Sequence, residues 1–158
     1  MCDYSLHGIR NRLAEEGEVL VVHRFFTGSK GLTSLDEYLK PVGQPKGWIA
    51  GLRKFFAIEN QPCAVCVPDG AKLMVYGIPP RLQEAHGLSS DEAVTFRQLS
   101  LDVHTYRDAM EFQNGVRVRL QEFDDGQRVE VLALSSERLV LGKDDSFSRP
   151  RSLPISAS

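Results

Sequence analysis

Three groups of residues have the types and spacing for chemistry. The chain opens MCDYSLHG, with cysteine at position 2. A cytosolic methionine aminopeptidase removes Met1 before a residue that small, so the expected mature terminus carries a thiol and a free amine on one carbon. An α-amine with a pKa of about 8 can act as base for its own side-chain thiol, the self-activating logic of N-terminal nucleophile enzymes. The second group is LDVHTYRD, where strand alternation puts Asp102, His104, Tyr106 and Asp108 on one face and Leu101, Val103 and Thr105 on the other. A carboxylate beside an imidazole orients it, and a tyrosine next in line can hold a proton. A polar face opposite an apolar one is equally what a half-exposed strand presents. The third group is Cys63 and Cys66, spaced for one zinc ion or a reversible disulfide.

Each group depends on the element that carries it. Two apolar runs flank Asp69-Gly70 in CAVCVPDGAKLMVYGIP, which predicts a tight hairpin with Val67 opposite Lys72, Cys66 opposite Leu73 and Cys63 opposite Tyr76. Cysteines three apart on a strand point to opposite faces, so Cys63 and Cys66 are expected as buried small hydrophobes, not a metal pair. EVLVVHRFFT, residues 18–27, predicts a strand with both faces largely apolar and a partly buried His23. The glycine-rich TGSKGLTS after it lacks a phosphate-binding Gly-Lys-Ser/Thr ending and is read as a loop. Ser34 with Glu37 forms a capping-box pattern opening a short helix over LDEYLK. Residues 79–87 predict a second helix with proline in its first turn, Gly87 at its end and His86 as a solvated end-residue.

Further along, Ser89 with Glu92 suggests a helix cap, but VTFRQLSLDVHTY is rich in β-branched and aromatic residues and predicts a strand with a bulge near Arg97 and Gln98. Around Asn114-Gly115 a three-residue loop pairs Phe112 with Val116 and Met110 with Val118. A two-residue turn at Asp125-Gly126 would set Leu120 against Val131 and Val118 against Ala133. The expected fold is mainly β: a small antiparallel barrel or sandwich built from hairpins, with two or three short helices. Residues 1–142 read as one domain, and residues 143–158, polar and without period, as a mobile tail.

The 158-residue chain carries a net charge of only −2, unevenly distributed. From Arg24 to Lys54 six basic residues stand against two acids, interleaved with Phe25, Phe26, Tyr38, Trp48, Phe55 and Phe56. Charge and rings in that mixture suit a partner or ligand, with Arg24, Trp48 and Lys54 as contact residues. A pI near 6.1 weighs against nucleic acid as that partner. No apolar span or leader pattern is present, and three unevenly spaced cysteines make no disulfide framework, so a cytoplasmic protein with reduced thiols and no membrane association is expected.

The stretches MCDYSLHGIRNRLAEEGEVLVVHRFFTGSKGL and TYRDAMEF together resemble a set of bacterial proteins of unknown function that begin MCDYSL. The resemblance spans most of the chain short of the tail and implies a small bacterial cytoplasmic domain, with no activity or site residue attached to it. Two functions remain open on the residues. One is a non-catalytic binding or assembly module, with homo-oligomerisation as an option, using residues 24–56. The other is an enzyme or thiol-imidazole metal site built from Cys2 with His7, His23 or His104, supported by Asp102 and Tyr106. The residues select no cofactor, metal, substrate or partner identity.

Overall fold

Apolar residues two apart run through most of the chain, and in the computed structural model they line the inner face of one curved antiparallel sheet. The structure describes residues 8–40, 61–99 and 106–135. Among these are β1 (Asn11–Leu13), β2 (Val19–Arg24), β3 (Lys30–Ser34), α1 (Leu35–Leu39), β4 (Ala64–Cys66), β5 (Lys72–Tyr76), α2 (Pro80–His86), β6 (Glu92–Gln98), β7 (Asp108–Phe112), β8 (Arg117–Arg119) and β9 (Arg128–Ala133). Seven strands pair in the order β3-β2-β9-β5-β6-β7-β8, while β1 and β4 form a separate parallel pair. Leu20, Val22, Leu32, Leu73, Val75, Val94, Phe96, Met110, Val118, Val129 and Val131 share one buried cluster. A smaller cluster of Ile9, Phe25 and Ala64 lies apart from it.

The fold is therefore mainly β, as the composition and alternation predict, and the sheet does not close by strand pairing. Its two ends are bridged instead by a short 3-10 turn, Leu120–Glu122, that follows β8. The Gln121 amide behaves as a substitute peptide group: its Oε1 accepts from the Lys30 N–H at 3.0 Å and its Nε2 donates to the Lys30 carbonyl at 3.0 Å. Lys30 Nζ adds bonds to the carbonyls of Gln121 and Phe123. This occupies backbone groups on the edge strand β3 that would otherwise be open to another chain.

Several local expectations hold. The strand predicted at residues 18–27 is β2, and His23 within it is half-buried. Ser34 Oγ accepts from the Glu37 N–H at 3.2 Å and starts α1. In α2 proline sits in the first turn and Gly87 caps the end with φ 66°. The β7–β8 loop has three residues, with Met110 opposite Val118, the Phe112 N–H bonded to the Val116 carbonyl and Gly115 at φ 84°. Glu92 does reach back to the Ser89 N–H at 2.6 Å, but the pair opens strand β6, where Val94 and Phe96 are buried.

Two predicted hairpins do not form. Residues 68–71 make a turn, with the Ala71 N–H on the Pro68 carbonyl, but β4 leaves it to pair in parallel with β1. The turn is captured by β6: the Gly70 N–H donates to the Phe96 carbonyl, the Phe96 N–H to the Ala71 carbonyl and the Gln98 N–H to Asp69 Oδ1. Likewise β9 does not pair with β8. The Glu122 carboxylate accepts the Arg119 N–H at 3.1 Å and turns the chain into the 3-10 segment, so β9 lies between β2 and β5, with Val131 opposite Leu73. The stretch read as a glycine loop contains β3, whose five residues pair with β2. The register shift found in the sheet falls between Lys72 and Leu73; the bulge expected near Arg97 and Gln98 is not seen along the β6–β7 ladder from Val94 to Gln98.

Cys66 is buried on β4 and disulfide-bonded, whereas Cys63 is half-buried with a free thiol. The two are thus not joined to each other, as expected, but the expectation that every thiol is reduced is corrected at Cys66. No described helix is long and apolar enough to cross a membrane.

Candidate functional site

The last residues of β2 carry alternating chemistry, His23 on one face and Arg24 on the other. Opposite His23 on β3 stands Gly31, which has no side chain. The room beside the imidazole is filled by rings from two other places: Phe25 at 5.0 Å and Tyr38, from α1, at 5.8 Å between ring centres, both edge-on. The turn entering β9 brings Asp125 to the same point. Its Oδ1 lies 3.6 Å from His23 Nδ1 and accepts the Arg24 N–H at 2.7 Å, while its Oδ2 accepts the Tyr38 hydroxyl at 3.4 Å. Gly126, at φ 86°, makes this approach possible, because a β-carbon there would sit 3.1 Å from the Tyr38 hydroxyl.

His23 Nδ1 is buried without a hydrogen-bond partner, and the side chain as a whole keeps 22% exposure, so its surface lies on its other atoms. Burial lowers the imidazole pKa from the usual 6.5, and the Asp125 charge only partly opposes this. Burial also raises the Tyr38 phenol, with Asp125 adding to the effect. Both rings are therefore neutral near pH 7. They sit beside a half-exposed carboxylate, with Arg24 and Phe26 exposed on the adjoining hairpin. A neutral imidazole facing a carboxylate can accept or pass a proton, and neutral rings next to charge form a recognition surface.

The remaining groupings are less able. Cys63 has its thiol pKa raised, first by burial and then by Glu37, against which Arg12 and Arg10 act weakly. Its thiolate is therefore disfavoured. Glu37 accepts the Cys63 N–H, and Arg12 pairs with Glu18. On the outer sheet face a hollow of about 490 Å3 is lined by Lys72, Thr95, Glu111 and Leu132. Its polar groups are already engaged: Lys72 Nζ donates to Thr95 Oγ1 at 2.6 Å, and Glu111 takes Arg97 at 3.2 Å and Arg117 at 2.6 Å. Among the described residues no three histidine, cysteine or carboxylate side chains gather where they could hold a metal ion.

Of the candidates read from the sequence, Arg24 is exposed beside the His23 cluster, its guanidinium reaching the Gly28 carbonyl at 3.2 Å. Tyr106 is 44% exposed just ahead of β7. Cys2, Trp48, Lys54, Asp102 and His104 lie outside the described residues, as do His7 and the tail at residues 143–158. His86 ends α2, half-buried, and its carbonyl accepts from Asn114 Nδ2. Tyr38 and Asp125 were missed as site residues. In the sequence Tyr38 stood only as one ring of the basic, aromatic stretch, inside a two-turn helix, and Asp125 only as half of an Asp-Gly turn. Their meeting spans 87 positions of chain. Comparison of the chain with protein-family models, with curated proteins and with solved structures returns no match.

Proposed function

We propose that this protein is a small non-catalytic binding module whose contact surface centres on His23, Tyr38 and Asp125 and takes in Arg24 and Phe26, with Trp48 and Lys54, which lie outside the described residues, as further contact residues. The observation that carries the reading is the buried, unpartnered Nδ1 of a half-buried imidazole, held among rings and a carboxylate at the surface. Polar groups in such positions are normally satisfied, and a bound ligand or partner that pairs with this one is the explanation proposed here. The exposed cation Arg24 and the 49% exposed Phe26 adjoin it. Together they offer charge, hydrogen bonding and a ring to a small polar ligand or to a partner's surface.

The test is a chemical-shift screen of the full chain against nucleotides, amino acids, sugar phosphates and small carboxylic acids, read at the His23 and Tyr38 ring resonances. A ligand of this site shifts both, and its affinity falls at least tenfold in His23→Ala and in Arg24→Ala, with Trp48→Ala and Lys54→Ala weakening it and Cys2→Ala leaving it unchanged. Hits indifferent to His23 and Arg24 refute the site. Turnover of any of these compounds by the unaltered chain refutes the non-catalytic reading.

A further inference from the structure

The helix that supplies Tyr38 is weakly held. None of the five residues of α1 is buried. It is attached by polar contacts: Ser34 at its start, the Cys63 N–H on the Glu37 carboxylate, and the Tyr38 hydroxyl on Asp125. The ring beneath Tyr38 is His23, the titratable group whose inner nitrogen has no hydrogen-bond partner. The geometry points to an acid-released joint, in which protonation of His23 undocks α1 from the β2–β3 hairpin.

The direction follows from what surrounds the ring. From the turn before β9, Asp125 faces Nδ1 at 3.6 Å, but it is 46% exposed and its Oδ1 already accepts the Arg24 N–H. The neighbouring Asp124 is paired with Arg81 at 2.7 Å. On β2, Arg24 is engaged with the Gly28 carbonyl, and on β3 the Lys30 ammonium is bound to the Gln121 and Phe123 carbonyls. On α1 the Glu37 carboxylate is turned to Cys63, leaving the neutral Tyr38 ring against the imidazole. Across β2, Arg128 of β9 pairs with Val21, two residues before His23. Among the described residues Asp125 alone therefore offers a charge to an imidazolium, and it is solvent-screened. A half-buried cation whose inner nitrogen has so little compensation is more stable in water. The shortest way there displaces Tyr38, and α1 has no buried apolar residue to resist. The lowered pKa of His23 agrees in sign with this. The joint stands on packing alone and does not require the binding reading above.

The experiment is an NMR titration of the full chain from pH 8 to 5, above the range in which ordinary carboxylates protonate. It follows the His23 ring, the Tyr38 ring and the exchange rates of the Cys63 and Arg24 amides, which report the Glu37 and Asp125 contacts. His23 is expected to titrate below 6.5, the Tyr38 ring to move with the same midpoint, and Cys63 amide protection to fall by about tenfold per pH unit in the window between the two pKa values, after correction for intrinsic exchange. Asp125→Asn moves the shared midpoint to lower pH, and His23→Gln makes Tyr38 and Cys63 flat across the range, which separates His23 from the other three histidines of the chain. The inference is overturned if His23 titrates at or above 6.5, if Tyr38 and the amides do not follow its midpoint, or if they still respond in His23→Gln. Should that variant not fold, the agreement or disagreement of midpoints in the unaltered chain decides alone.

Discussion

His23 illustrates what a single residue acquires from its neighbours. Alternation along β2 was enough to predict partial burial, because the residues before and after it on the same face are apolar. Nothing local predicted that Tyr38 and Asp125 would close over it. Gly126 makes that closure possible, and its replacement is a sharp probe. Alanine at φ 86° is strained, and its β-carbon would press on the Tyr38 hydroxyl 3.1 Å away. Gly126→Ala is expected to destabilise the fold by about 1 to 3 kcal/mol, seen in chemical denaturation, and to displace the Tyr38 ring resonances. Cys63 gives a second prediction at this scale. Burial and the Glu37 carboxylate raise its thiol pKa, so less thiolate exists at neutral pH. Its labelling by a disulfide reagent at pH 7.5 should be slower than that of a free cysteine peptide. Glu37→Gln removes the second cause, and faster labelling is the expected result.

At the scale of elements, local signals predicted the short units well and their pairing poorly. Ser34, Gly87 and the Gln-Asn-Gly loop each act within a few residues, and each does what its chemistry predicts. Asp69-Gly70 and Asp125-Gly126 also turn the chain, with both glycines at φ 86°. A turn, however, requires only a local conformation, while a hairpin requires that the two flanking strands prefer each other. Here β5 finds β6 and β9, and β9 finds β2 and β5, because these pairings set Leu73, Val75, Val94, Val129 and Val131 on one buried face. Gln121 is the clearest element-level device, since it joins the two ends of the sheet. Gln121→Ala leaves the Lys30 N–H and carbonyl without partners at a half-buried edge. A loss of about 1 to 3 kcal/mol is expected. The accompanying sign is faster hydrogen exchange at Lys30, with the β6–β7 amides unchanged. Equal acceleration throughout would show that the bridge does not act locally.

Over the whole molecule, acid should act in two stages. A histidine whose pKa is lowered by folding stabilises the native state above the unfolded value of 6.5, and that contribution is lost as pH falls through the folded value. Carboxylates act lower. Burial raises the Glu18 pKa, but hydrogen bonds from Arg12 and the Glu15 N–H outweigh it and leave it lowered. Glu111 is lowered first by its bond from Arg117; burial opposes this, and Arg97 adds to the lowering. Their contributions are present above the unfolded value of 4.5 and disappear as pH falls through the lowered folded values. Melting temperature measured from pH 8 to 3 should therefore decline in two steps, the first beginning near 6.5 and the second below 4.5. His23→Gln should remove or shrink the first step only. A single decline confined to the carboxylate range would contradict the role given to His23.

The sequence by itself determined the class of fold, the strand at β2, both described helices and the β7–β8 loop, because alternation, caps and glycine conformations act over a few residues. It also anticipated that Cys63 and Cys66 do not pair with each other, although the hairpin from which that was read does not form and Cys63 lies just before β4. Only the tertiary structure decided the partners of β4, β5 and β9, the bridge at Gln121 and the meeting of His23, Tyr38 and Asp125. These are choices among many pairings of similar local quality, settled by which one buries the most apolar surface with its backbone groups satisfied. A site assembled from positions 23, 38 and 125 has no spacing to read, since its distances exist only after the sheet has curled.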